Sequence, residues 1–155
     1  ENGNKYNGQV KNENTLHGKG TLTATDGRKY VGDFKEGKRE GKGTLYWPDG
    51  NKYVGDFKDD KLSGVGEFIW NNGNKYRGDV LDSEPHGVGT YTFKSGQNYH
   101  GEWNNGNREG MGKITWPNGA TSYGPFKNDK RHGTHDYTFE DGSKKKILYD
   151  NGNEV

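Results

Sequence analysis

The 155-residue chain has no cysteine, which removes disulfides, thiolate metal sites and cysteine nucleophiles from its chemistry. Hydrophobic residues make up only 25% of it, and its mean hydropathy is −1.35. No stretch approaches the ~18 consecutive apolar residues of a membrane span. Neither sign of charge dominates: 23 basic residues against 22 acidic ones leave a net charge of +1. That excludes a basic stripe over the whole surface, so nucleic acid is not an expected partner. No signal-peptide pattern opens the chain, which starts on Glu1 rather than methionine. A cysteine-free chain suits a reducing compartment, and a cytoplasmic location is the expectation.

What the chain does contain argues against disorder. Aromatic residues reach 13%, and 27 glycines occur without any low-complexity run; disordered segments have little use for large apolar anchors. The glycines and aromatics fall on a fixed period. Tyr30, Tyr53, Tyr76 and Tyr99 recur every 23 residues, with Ser122 on the next step and Tyr123 beside it. Two residues after each comes Gly32, Gly55, Gly78, Gly101 or Gly124, and two further on comes Phe34, Phe57, Val80, Trp103 or Phe126. A Gly-x-Gly motif follows at Gly41, Gly64, Gly87 and Gly110, leading into Leu45/Trp47, Phe68/Trp70, Tyr91/Phe93 and Ile114/Trp116. Each unit closes on a turn at Gly50, Gly73, Gly96 or Gly119. Only Tyr46 and Tyr123, among the aromatics, fall off this pattern.

The repeats run over about 6–29, 30–52, 53–75, 76–98, 99–121 and 122–144, with a partial unit at 145–155, and form a single array. The first carries one extra residue between Val10 and Gly18. The sixth has Ser122 for tyrosine and His135 for its second glycine. Because Asn2-Gly3-Asn4-Lys5 copies the closing turn Asn72-Gly73-Asn74-Lys75, the chain reads as a window onto a longer array.

Within each half-unit the pattern has period two, the signature of a strand. Tyr30, Gly32 and Phe34 share one face, and Val31 and Asp33 the other. Segments such as Trp47-Pro-Asp-Gly50 and Trp116-Pro-Asn-Gly119 read as tight turns. Glycine at this density excludes helix, at about 1 kcal/mol each. Glycine also weakens a strand unless something approaches its backbone closely, so the aromatic rings are expected to lie over bare glycines of neighbouring strands. The expected fold is all-β: an elongated, single-layer antiparallel meander of roughly 12 to 13 strands, twisted or curved around a groove.

These residues resemble the MORN (membrane occupation and recognition nexus) repeat family, whose unit is similar to Y-x-G-x-[WF]-x-x-G-[KR]-x-x-G-x-G followed by a D-G turn. The clearest copy is Tyr30-Val-Gly32-Asp-Phe34-Lys-Glu-Gly37-Lys38-Arg-Glu-Gly41-Lys-Gly43, ending at Asp49-Gly50. Val10 and Val80 depart from it at the aromatic slot, as do Ser122 and His135 in the last unit. The resemblance implies a grooved single sheet used for protein–protein contact, cytoskeletal or membrane-junction scaffolding, and in some members acidic-phospholipid binding. It also implies an alternative, a regulatory segment of a larger lipid kinase or methyltransferase.

No enzymatic constellation emerges. The histidines His17, His86 and His132 precede Gly-x-Gly at a turn position, and no helix follows that motif to present its N-terminus to phosphate. No catalytic residue, cofactor or metal is expected. Three surfaces remain. Val31, Tyr46, Val54 and Ile69 break the polar rule on the face opposite the framework, and cross-strand neighbours of this kind make an apolar strip for a protein partner. An aromatic groove of Tyr30, Phe34, Trp47, Tyr53, Phe57, Trp70, Tyr76, Phe93, Tyr99, Trp103 and Trp116 offers a seat for an amphipathic helix. Lys127, Lys130, Arg131, Lys144 and Lys146 are candidate contacts for acidic membrane lipid, worth at most ~1 kcal/mol per basic residue; alternation sends Lys145 to the other face. Open strand edges invite an end-to-end homodimer.

Overall fold

In a computed structural model, residues 3–155 are described; Glu1 and Asn2, the start of the turn assigned above to a preceding repeat, lie outside the described residues. The chain forms one 15-stranded antiparallel sheet in chain order. Its strands are β1 (Lys5–Lys11), β2 (Thr15–Thr23), β3 (Lys29–Lys35), β4 (Lys38–Tyr46), β5 (Lys52–Lys58), β6 (Lys61–Ile69), β7 (Lys75–Leu81) and β8 (Glu84–Thr92). They continue as β9 (Asn98–Asn104), β10 (Asn107–Thr115), β11 (Thr121–Lys127), β12 (Lys130–Arg131), β13 (Gly133–Thr138), β14 (Lys144–Asp150) and β15 (Asn153–Glu154).

The count exceeds the expected 12 to 13 for two local reasons. The second strand of the sixth repeat breaks at His132 into β12 and β13, both paired to β11. A two-residue bridge, β15, then folds back on β14. The chain divides into two compact units, residues 1–72 with 80–83, and residues 73–79 with 84–155. Each is described by itself below.

Two turn types alternate. From the second repeat on, strands within a repeat are joined by two-residue turns in which both residues have positive φ, as at Asp59 (48°) and Asp60 (68°) or Asn128 (47°) and Asp129 (67°). This geometry matches the twist of paired strands, and Asn, Asp and Gly tolerate it best. Successive repeats are joined by turns such as 47–50, where the Gly50 amide donates to the Trp47 carbonyl at 3.1 Å.

The core is a ladder of aromatic rings on one face. In the first unit Tyr30 and Tyr53 are fully buried, with Phe34 and Phe57 edge-on against them at centroid separations of 4.8 to 5.4 Å. Phe57 thus wedges between the tyrosine of its own repeat and that of the preceding one. In the second unit Trp103 does the same between Tyr76 and Tyr99, at 5.2 and 5.3 Å. Edge-to-face pairs of this kind add about 0.5–1.5 kcal/mol to area burial.

Paired glycines make room for the rings. Gly32 faces Gly43 and Gly55 faces Gly66 across their strand pairs, and Gly101 faces Gly112. A β-carbon at Gly43 would collide with the Tyr30 ring, and one at Gly112 with the Tyr99 ring. Each phenol then donates to the carbonyl three residues on: Tyr30 to Asp33 at 2.8 Å, Tyr53 to Asp56 at 3.1 Å, Tyr99 to Glu102 at 2.9 Å. Burial lifts the Tyr30 phenol to about 12 and raises those of Tyr53 and Tyr99 further still.

Candidate functional site

With the tyrosines and the residues four after them used as packing, the accessible chemistry moves to three places. The first is the face opposite the rings. Val31, Tyr46 and Val54 are each about two-fifths exposed there, while Ile69 is half-buried. The register keeps them off direct cross-strand positions. Thr44 stands between Val31 and Val54, and Lys52 between Tyr46 and Ile69. The four therefore meet only along diagonals, ~7–8 Å apart, and the strip zigzags through polar neighbours.

Much of that face has a structural job. The first glycine of each Gly-x-Gly sits at a bulge with positive φ, and the acidic residue opposite caps it. Asp33 accepts from the Lys42 amide at 3.2 Å, Asp56 from Val65 at 3.1 Å, Asp79 from Val88 at 2.9 Å, and Glu102 from Met111 at 3.0 Å.

The second place is the aromatic groove. Of its expected members, Tyr30, Phe34, Tyr53, Phe57, Tyr76, Tyr99 and Trp103 are buried and present no open surface. Trp47, Trp70 and Trp116 are half-buried and Phe93 is exposed. All four stand at the turns joining repeats, so what remains accessible in each unit is a ledge along its own turns. In the first unit Phe68 and Trp70 stack there at 5.7 Å. In the second, Trp116, Tyr137 and Phe139 form a stack of near-parallel rings, with centroids 5.9 and 6.3 Å apart and interplanar angles of 24° and 27°. Beside them opens a cleft of about 440 Å³, lined also by Pro117, Asn118 and Ala120. A second cleft, of about 300 Å³, lies between Tyr91, Phe93 and Arg108. Tyr137 and Phe139, absent from the expected groove, occupy the slots that Tyr91 and Phe93 hold two repeats earlier, and that spacing was the available signal.

The third place is the sixth repeat, where the framework itself changes. His135 and Ser122 are fully buried. Ser122 replaces the tyrosine, and the His135 imidazole, reaching across from the partner strand, fills the vacated space. A β-carbon at Gly124 would stand 2.5 Å from that ring. His135 Nε2 donates to the Pro125 carbonyl at 2.8 Å, the acceptor three residues after Ser122 that a tyrosine would use. Its Nδ1 accepts from the Ser122 hydroxyl at 3.1 Å. The ring also takes the tyrosine's place in the ladder, 5.3 Å from both Phe126 and Tyr149. Two departures from the pattern are thus one compensated exchange. Burial, with some help from Arg131, holds the imidazole below its usual pKa, which favours the neutral ring with its proton on Nε2.

The basic residues do not gather on one surface. Arg131 pairs with Phe126 and so belongs to the aromatic face, where its guanidinium lies 5.3 to 5.8 Å from the rings of Tyr149, Trp116 and Tyr137. Lys127, Lys130, Lys144 and Lys146 are exposed and, by register, share the opposite face. There Lys146 is joined to Asp136 at 2.9 Å. Among the described residues no group of His, Cys, Asp and Glu has metal-binding geometry, and no helix is long and apolar enough to cross a membrane.

A meander of hairpins about 23 residues long, with a tyrosine over a glycine pair in the first five, defines an all-β repeat protein. The chain belongs to the MORN repeat family, which matches residues 6–27, 30–52, 53–75, 76–97, 99–121 and 124–144. Curated protein sequences gave no match. Among solved structures, the SAS-4 (dCPAP) TCP domain of Drosophila melanogaster, in complex with a proline-rich motif of Ana2 (dSTIL), is similar in fold. It is 15% identical with a TM-score of 0.52, over 89% of this chain and 82% of that one. The TCP10 domain of Danio rerio CPAP is 16% identical with a TM-score of 0.42, over 88% and 69%.

Proposed function

We infer that the array is a non-catalytic scaffold that binds a protein partner through the aromatic ledge at the margin of its sheet. The observation that carries this reading is the Trp116–Tyr137–Phe139 stack, with Phe139 41% exposed beside the cleft. Rings held in register and left partly uncovered supply large contact area at small conformational cost. Extended segments rich in proline dock on aromatic surfaces of this kind because they are already ordered. The SAS-4 TCP domain, which shares the sheet architecture, holds such a proline-rich motif, and that supports the reading. A cytoplasmic, cytoskeletal or junctional setting fits it. The diagonal set Val31, Tyr46, Val54 and Ile69 is the competing surface within the same function.

The test is affinity capture with the wild-type chain and with two paired variants, Trp116→Ser/Phe139→Ser and Tyr46→Ser/Ile69→Ser. The reading expects the captured proteins to be lost with the first pair and kept with the second. The reverse result moves the interface to the opposite face, and unchanged capture by both pairs sinks both surfaces.

A further inference from the structure

Arg131 is held like two other arginines of the molecule, with one element removed. Arg39 lies over Tyr30 and Phe57, and Arg108 over Tyr99 and Phe126, at 5.1 to 5.8 Å. Each of these is also bound to an aspartate 21 residues further on: Arg39 Nε to Asp60 at 3.2 Å, and Arg108 Nε to Asp129 at 2.7 Å. Their aspartates are fixed by the backbone. The amides of Asp60 and Asp129 donate to the carbonyls of Arg39 and Arg108 at 3.1 and 3.0 Å.

Arg131 has the same backbone arrangement, for the Gly152 amide donates to its carbonyl at 2.8 Å. Residue 152 therefore stands where Asp60 and Asp129 stand, and it has no side chain. The Arg131 Nε is shut off from solvent without an acceptor, and Arg131 makes no ion pair among the described residues. The carboxylates near it in the sequence have other partners: Asp136 has Lys146 at 2.9 Å, Asp150 has His132 at 3.6 Å, and Glu154 has Lys145 at 3.5 Å. A buried, uncompensated donor carries a free-energy cost that an incoming acceptor removes. Trp116 and Tyr137, two of the three rings beside the guanidinium, also line the 440 Å³ cleft.

We propose that Arg131 is the charged anchor for an acidic peptide, taking one Asp or Glu carboxylate of the partner into the place left vacant at Gly152 while apolar residues of the same segment lie on Trp116, Tyr137 and Phe139. Arginine in a fixed planar setting suits a carboxylate, which its fork engages through two parallel hydrogen bonds. The lysines that would meet a lipid surface share the opposite face, so a bilayer does not reach both features. This inference rests on the ledge being a protein-binding surface.

The test is selection from a random peptide display library on the full chain, run in parallel on Gly152→Asp, Arg131→Met and Trp116→Ser. Gly152→Asp supplies the carboxylate that Arg39 and Arg108 already have, and the positive φ of Asp60 and Asp129 shows that the turn accepts it. The wild type is expected to select peptides with Asp or Glu next to apolar or proline residues. Their affinity should fall about tenfold in Gly152→Asp and in Arg131→Met, the loss of one charge-assisted pair. Acidic peptides selected equally well by Gly152→Asp overturn the anchor. So do selected peptides without acidic residues, and if those are lost in Trp116→Ser the ledge itself stands. If no variant and no wild-type sample selects any peptide, the ledge reading fails and the anchor with it.

Discussion

The fifth and sixth repeats solve the same packing problem with different parts. In the fifth, Tyr99 covers Gly101 and Gly112, its phenol satisfies the Glu102 carbonyl, Glu102 caps the bulge, and Arg108 is locked by Asp129. In the sixth, serine stands for the tyrosine, His135 for the second glycine, Pro125 for the capping acid, and Gly152 for the locking aspartate. The first two changes compensate each other inside the core. The loss of the aspartate is not compensated, and it lies next to the cleft beside Trp116, Tyr137 and Phe139. Departures that repair one another maintain the fold; a departure left unrepaired at the surface points to use.

The largest effect is expected from transplanting the exchange. Tyr99→Ser alone empties a ring-sized space and should cost about 3–5 kcal/mol. Gly112→His alone drives an imidazole into the Tyr99 ring and should cost about as much. Combined, they rebuild the arrangement of the sixth repeat and should recover at least ~2 kcal/mol of the summed loss in a double-mutant cycle read by urea unfolding. Strict additivity would show that His135 does not replace the tyrosine.

The second effect is on pH dependence. His135 has a folded pKa below its unfolded value near ~6.5, so the unfolded state binds the proton more readily. Stability is then full above that unfolded value and declines as pH falls below it. Ser122→Tyr/His135→Gly, which restores the regular arrangement, should flatten urea midpoints between neutral and mildly acidic pH. An unchanged slope would mean that other groups set it.

Smaller changes sharpen the rest. Gly152→Asp should shift stability by no more than ~0.5 kcal/mol, because the screened pair it creates is set against the strain of a side chain at a φ of +92°; a loss above ~2 kcal/mol would contradict the equivalence of residues 60, 129 and 152. Tyr46→Ser and Ile69→Ser on the opposite face should each shift stability by no more than ~0.5 kcal/mol, checked by the same melts.

The strand content and the rings over bare backbone were legible from the 23-residue spacing, because Tyr30, Gly32 and Phe34 state both period and facing. Burial was less legible. Alternation puts Tyr53 and Trp70 on one face but does not say that Tyr53 lies under the Phe57 wedge while Trp70 stands at a turn with one side open. The pairing of Ser122 with His135 was invisible as an exchange, since the two residues are 13 apart and each reads alone as a lapse. The anchor was hidden for the same reason: Arg131 looks like one more basic residue until the backbone sets Gly152 in the place of Asp60 and Asp129.

The most direct test of the central claim is site-specific photo-crosslinking from the two faces of the sheet. p-Benzoylphenylalanine is placed at Phe139 in one sample and at Tyr46 in another, both in the full chain. A partner seated on the ledge gives a discrete protein adduct from position 139, lost when Trp116→Ser is added, and none from position 46. An adduct from position 46 alone would contradict it.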